Sequence, residues 1–245
     1  PDTNFQISGD ARFSGDRALN LHIGGSINLR LVSALFPDLD ARGVAQLNTV
    51  IAGTFSSPQI TGQAKLTNVS AHYGDFPAGI NNLNGEMVFD RSRLLFDNLT
   101  AEAGGGKMTI SGSVGYGEAP VRYEISAVAD RVRIRYPEGM SWLTSGNLRF
   151  SGTTNAALLS GNVTVQRITF APNVNFAGLM VSSQTAVTGP ATSSAYLRNL
   201  QFDVTANTSP GARIEWAGAH FTAEGGVHVR GTWERSEERR VGKEC

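Results

Sequence analysis

The sequence predicts an all-β chain of mainly antiparallel strands, interrupted by one short helix near residues 29–36. Three observations carry this reading. Apolar and polar residues alternate with period two over most of the chain, helical periodicity is nearly absent, and glycine is frequent, at 28 of 245 residues. Successive strand side chains point to opposite faces, so the alternation gives each strand one apolar and one polar face. Half-buried antiparallel strands read this way; doubly covered parallel strands do not.

The elements follow in order. Leu19, Leu21 and Ile23 alternate with Asn20 and His22, and Ile27, Leu29 and Leu31 alternate with Asn28 and Arg30. Leu31, Val32, Leu35 and Phe36 then have the i, i+1, i+4, i+5 spacing of a helix face, which Pro37 stops. Ala103-Gly-Gly-Gly-Lys107 reads as a glycine-rich hairpin or bulge before a strand carrying Met108, Ile110 and Val114. Gly115-Tyr-Gly117-Glu-Ala-Pro120 and Tyr136-Pro137-Glu138-Gly139-Met140 read as turns, as do Asp38 and Asp40. Further strands are read around Val121, Tyr123 and Ile125; Val132, Ile134 and Tyr136; Leu148 and Phe150; Leu200, Phe202 and Val204; Ile214 and Trp216; and Val227 and Val229. A phrase Gly-x-apolar-x-apolar, or a near variant, begins at Gly9, Gly25, Gly62, Gly85, Gly112, Gly146, Gly161 and Gly226. Each glycine is expected to open a strand, because turns need positive φ. The variable spacing excludes a fixed-period solenoid or propeller. About fifteen short strands are expected in all.

Composition narrows the function. With 21 Lys+Arg against 21 Asp+Glu there is no basic excess for nucleic acid or anionic lipid surfaces. One cysteine excludes a disulfide framework and cysteine-rich metal modules. No apolar run approaches the ~20 residues that span a bilayer as a helix. The chain starts at Pro1 without a signal peptide and is expected to be cut from something longer. Residues 235–245 carry no strand pattern and match the in-frame translation of a common sequencing adapter, so they are expected to be a disordered artefact. Without their four basic and three acidic residues, 17 Lys+Arg face 18 Asp+Glu, a net of −1 with no cysteine. A cysteine-free chain is compatible with an oxidising compartment.

Chemistry-bearing motifs are missing. Gly104-Gly-Gly-Lys107-Met108 lacks the spacing and the Ser/Thr of a phosphate loop and runs into a strand. There is no Gly-x-Ser-x-Gly elbow. His22, His72, His220 and His228 show no metal-ligand spacing, and Gly225-Gly226 separates the last two. No catalytic, cofactor or metal residue is therefore expected, and the chain is not read as an enzyme. Asn-x-Ser/Thr sequons at Asn68, Asn98, Asn162 and Asn207 are read as a consequence of composition.

Many apolar strand faces and almost no helix to cover them pose a geometric problem. Burial is worth roughly 25 cal/mol per Å², so those faces need a cover. A closed sandwich or barrel, a parallel β-helix, and an open trough completed by a ligand all solve it.

Several phrases resemble one family. Ser57-Pro58-Gln59-Ile60-Thr61-Gly62 is followed by Ile80-Asn-Asn-Leu-Asn-Gly85-Glu-Met-Val-Phe89 and by Gly104-Gly-Gly106-Lys-Met-Thr-Ile-Ser-Gly112. Leu158-Leu-Ser-Gly161-Asn-Val163 and Arg213-Ile-Glu-Trp216 come next, and then Ala223-Glu-Gly-Gly226-Val-His-Val-Arg-Gly231. In this order, over nearly all of residues 9–234, they resemble the translocation and assembly module subunit TamB and its AsmA-like, bridge-like lipid transfer relatives. The resemblance implies the trough: residues 1–234 as one elongated, curled β-groove segment with an apolar concave face. It implies a periplasmic chain, anchored to the inner membrane through a missing N-terminal segment. It implies carriage of phospholipid acyl chains between the membranes, or support of outer-membrane protein assembly, with a BamA/TamA-type assembly factor as partner. No nucleic acid or metal is implied. The groove lining is expected to include Leu66, Met87, Phe89, Met108, Ile110, Val114, Leu148, Phe150, Val163, Val165, Phe202 and Val204. A surface adhesin built as a parallel β-helix is the alternative.

Overall fold

The computed structural model describes residues 3–14, 18–35, 39–73, 79–136, 138–172, 199–232 and 235–240. Unit one holds β1 (Asn4–Arg12), β2 (Ala18–Asn28), α1 (Arg30–Leu35), β3 (Leu39–Thr54), β4 (Ser57–Tyr73), β5 (Ile80–Arg91) and β6 (Arg93–Ala103). β7 (Gly106–Gly115) and β8 (Arg122–Ile134) contribute to both units. Unit two continues with β9 (Met140–Thr153), β10 (Ala157–Phe170), β11 (Leu200–Trp216), β12 (Ala219–Ala223), β13 (Gly226–Thr232) and β14 (Arg235–Arg240). The first unit comprises Pro1–Ala103 with Met108–Ile125, the second Gly104–Lys107 with Ser126–Cys245.

The strands follow one another in sheet order from β1 to β11, then β13 and β14, with β12 also paired to β11. β1 and β14 are the ends of this order, so the sheet is open. The pairings of known register are antiparallel except β10–β11, which is parallel. That pattern overturns the parallel β-helix, whose coils would stack every strand in parallel. The closed sandwich also lacks support. In each unit the substantial packing contacts run between sheet neighbours and between α1 and β3. Burial agrees. Among the described residues, seven of thirteen buried hydrophobics are alanines, and no large side chain is fully buried. Facing sheets would bury Leu and Phe instead, because their side chains interdigitate across a core about 10 Å thick.

The helix forms where its apolar spacing predicts; Phe36 and Pro37 lie outside the described residues. Ser33 ties it to β3: the Ala41 N–H donates to the Ser33 hydroxyl at 2.8 Å, and that hydroxyl donates to the Ala41 carbonyl at 3.3 Å. Gly104 and Gly105, both at positive φ, make the β6–β7 hairpin turn. Asp40 is not a turn residue. It lies in β3 opposite His72 and pairs with Arg42 at 2.9 Å, while Asp38 is outside the described residues.

Two expectations need correction. Among the described residues fourteen strands replace about fifteen short ones, and β4 and β11 each run to 17 residues. Bulges carry the strands past breaks in the alternation. Leu66 and Val69 are three residues apart, yet both are buried in one cluster with Ala45. Between them the β4–β5 register shifts and Asn68 adopts φ 49°. Asn82 and Asn98 take the same left-handed conformation, which asparagine tolerates better than other side chains. Asn68 and Asn98, read as sequons, are therefore backbone devices.

The glycines are the second correction. Gly9, Gly25, Gly62, Gly85, Gly112, Gly146 and Gly161 lie inside strands, and only Gly226 opens one. Gly62 shows why. It has φ +130°, and a Cβ there would collide with the Asn48 carbonyl on β3. The backbone comes too close to the next strand for any side chain.

Arg235–Arg240, without a strand pattern of its own, pairs antiparallel with β13. The unpaired N–H and C=O groups of an edge accept an extended chain irrespective of side-chain pattern. Residues 241–245 lie outside the described residues.

Candidate functional site

Cross-strand registers assemble the apolar positions into rows, because directly opposed residues share a face. In the first unit one row runs Ile23, Thr49, Gly62, Phe89, Leu94 across β2 to β6. The next runs Leu47, Ala64, Met87, Phe96, and a third Ala45, Leu66, Gly85. Met87 and Phe89 are half-buried, as are Met108, Ile110 and Val114 on β7, whereas Leu66 is 8% exposed. Met87 packs against the Ala45–Leu66–Val69 cluster.

The second unit repeats the scheme. Phe150 opposes Leu159, which opposes Phe202. Leu148 opposes Gly161, then Val204 and Val229 follow. Val163 lies between Gly146 and Ala206, and Val165 lies between Thr144 and Thr208. Val165 is buried and the other five expected positions are half-buried. Thr144, buried in this face, satisfies its hydroxyl by donating to the Val132 carbonyl at 3.2 Å.

All twelve expected residues thus lie in strands on the apolar rows or with their parity. Sequence reading missed Leu47, Leu94, Phe96, Leu159 and Val229; Leu47 and Val229 alternate with polar neighbours, whereas the runs Leu94-Leu95-Phe96 and Leu158-Leu159 hide the parity. Large residues repeatedly oppose a glycine: Phe89 meets Gly62, and Leu148 and Val204 both meet Gly161. The other face is mostly polar, though Val88 and Leu95 oppose one another on it and are exposed.

The polar face of the second unit carries a charged cluster. His228 Nε2 and Asp203 Oδ1 are 2.6 Å apart, and Arg230 lies 3.7 Å from the same carboxylate. The hydrogen bond with His228, helped by the Arg230 charge, holds the Asp203 carboxyl below its ordinary 3.8. A carboxyl depressed in the folded state stabilises it above the unfolded pKa and loses that contribution as pH falls through the folded one. Asp203→Asn is therefore expected to lower Tm slightly near pH 7, with the difference closing below about pH 4. The effect is small because the cluster is solvent-exposed. Equal Tm differences in thermal melts at both pH values would refute the pairing.

A family model described as the TamB C-terminal domain matches residues 97–236. Neither a curated protein nor a solved structure matches the chain.

Proposed function

Because the chain belongs to the TamB family, we propose that it carries phospholipid along its apolar face as one segment of an envelope-spanning protein. The family supplies the coarser frame: a role in the translocation and assembly module, association with a TamA-type assembly factor, and an envelope protein with a periplasmic portion. The finer reading is ours. The apolar face forms an open groove that takes acyl chains between the inner and outer membranes, with the full protein held at the inner membrane. Support of outer-membrane protein assembly is the second role compatible with the family.

One observation carries the proposal. Each unit has an apolar sheet face whose large side chains stay half-buried, with no second sheet packed over it among the described residues. An acyl chain gains ~0.8 kcal/mol for each CH₂ that leaves water, so such a face favours lipid tails. The role inferred is carriage, not catalysis.

Site-specific photo-crosslinking tests this. Crosslinkers at Met108 or Phe150 are expected to capture phospholipid from membrane extracts, and one at Thr109, of opposite parity, is expected not to. Capture confined to Thr109 would overturn the proposal.

A further inference from the structure

Three turns meet at one strand end of the first unit: Ser57-Pro58-Gln59 after the β3–β4 turn, Arg91-Ser92 between β5 and β6, and the β7–β8 connection. They enclose a cavity of about 400 Å³. Arg91, Arg93 and Arg122 line it, and Glu118 is the only carboxylate among the lining residues. None of the ion pairs among the described residues involves these three arginines.

The turns are fixed to one another. The Tyr116 hydroxyl donates to the Arg91 carbonyl at 3.1 Å, and the Tyr116 N–H donates to the Ser92 carbonyl at 2.9 Å. Gly117 lies so near Ser92 that a Cβ would collide with the serine side chain. Backbone contacts thus fix the two turns that carry the arginines, and Asp90, opposite Arg93, forms no ion pair with them.

The cavity also lies where apolar rows end. Arg91 opposes Ile60, Ile60 opposes Ile51, and on β5 and β6 the rung of Asp90 opposite Arg93 is followed by Phe89 opposite Leu94. A cationic cavity beside an apolar face matches an amphiphile with an anionic head. Guanidinium presents a planar fork of N–H donors suited to phosphate oxygens. With three cations against one anion, the cavity has spare positive charge for a phosphodiester. At the strand-end rim the head stays hydrated while the tails follow the apolar rows.

We propose that this cavity binds the phosphate of a phospholipid headgroup whose acyl chains lie along the adjoining apolar face. The lipid source of that phosphate rests on the carrier reading above. Exposed arginines are screened by salt, so binding is weaker at high ionic strength.

The test is calorimetric titration of the full chain with short-chain phosphatidylglycerol, inorganic phosphate and a phosphate-free maltoside of equal chain length. Phosphatidylglycerol is expected to bind most tightly. The triple variant Arg91→Gln, Arg93→Gln, Arg122→Gln is expected to weaken it by about tenfold or more and leave the maltoside unchanged. Gln59→Glu keeps every arginine but adds negative charge to the lining, and is expected to weaken phosphatidylglycerol too. Unchanged urea midpoints establish that both variants are folded; if the triple variant unfolds, Gln59→Glu decides. Unchanged phosphatidylglycerol affinity in the folded variants would overturn the proposal. Inorganic phosphate binding as tightly as the lipid would overturn the headgroup assignment. If crosslinkers at Met108 and Phe150 still capture lipid while the variants bind normally, this site fails and the carrier reading stands. If those crosslinkers capture nothing but the variants still lose phosphatidylglycerol, the site stands and the carrier reading fails.

Discussion

Replacing Gly161 by alanine is expected to destabilise the fold by about 1–3 kcal/mol. Gly161 lies inside β10 at φ +139°, between Leu148 on β9 and Val204 on β11. Residues with a Cβ rarely adopt that conformation. The new Cβ would also collide with the Asn147 carbonyl and sit 3.0 Å from the Leu148 Cα. Both are backbone atoms of the neighbouring strand, so no rotamer change relieves the contact, and β9 and β10 must separate. Native domains are stable by only 5–15 kcal/mol, so the loss should be plain in a urea denaturation curve. Asn162→Ala, an exposed neighbour on the other face, is the control and is expected to stay within about 0.5 kcal/mol of the parent. A Gly161→Ala midpoint equal to that of the control would refute the account. Gly62, at φ +130° against the Asn48 carbonyl, gives an independent repeat in the first unit.

Leu148→Glu is expected to remove phospholipid capture at Phe150 while leaving the chain folded. Leu148 is half-buried on the apolar face, one rung from Phe150. A carboxylate among acyl chains costs several kcal/mol, and each 1.4 kcal/mol is tenfold in affinity, so capture should fall by more than about tenfold. In a closed core the same charge would unfold the protein. On a face open to water it stays hydrated when no lipid is bound, so the urea midpoint should hardly move. Asn147→Glu, on the exposed opposite parity, is expected to change neither quantity. Undiminished capture in Leu148→Glu would show that the lipid does not lie on this face, and unfolding would show that the face is covered.

Much of this architecture was legible from side-chain order. Period-two alternation placed Met108 and Ile110, Phe150, and Phe202 and Val204 in strands, and the i, i+1, i+4, i+5 run before Pro37 placed the helix. Strand length was less legible, because Leu66 and Val69 break the alternation and invite a boundary between them. The left-handed Asn68 absorbs the odd residue, and the strand continues in phase. Asn68 and Asn98 carried a signal in their tolerance of positive φ, but the following Ser or Thr drew attention to sequons instead. The glycines misled for a similar reason: positive φ is commonest in turns, so Gly62 and Gly161 read as strand openings. Their actual cause is a close backbone approach from another strand, and local sequence does not reveal that neighbour.

The sequence by itself determined that the chain is all-β and that its strands have one apolar face, and it placed twelve residues with that parity, since parity is a local property of the extended backbone. The order of its phrases also indicated the family. Only the tertiary structure decided that the substantial packing in each unit stays between sheet neighbours, that β10 and β11 run parallel, and that three arginines from two turns line one cavity. These depend on which strands become hydrogen-bond partners, and a sandwich and an open sheet share the same alternation. Backbone pairing of each strand with the next along the chain, rather than side-chain order within each, separates them.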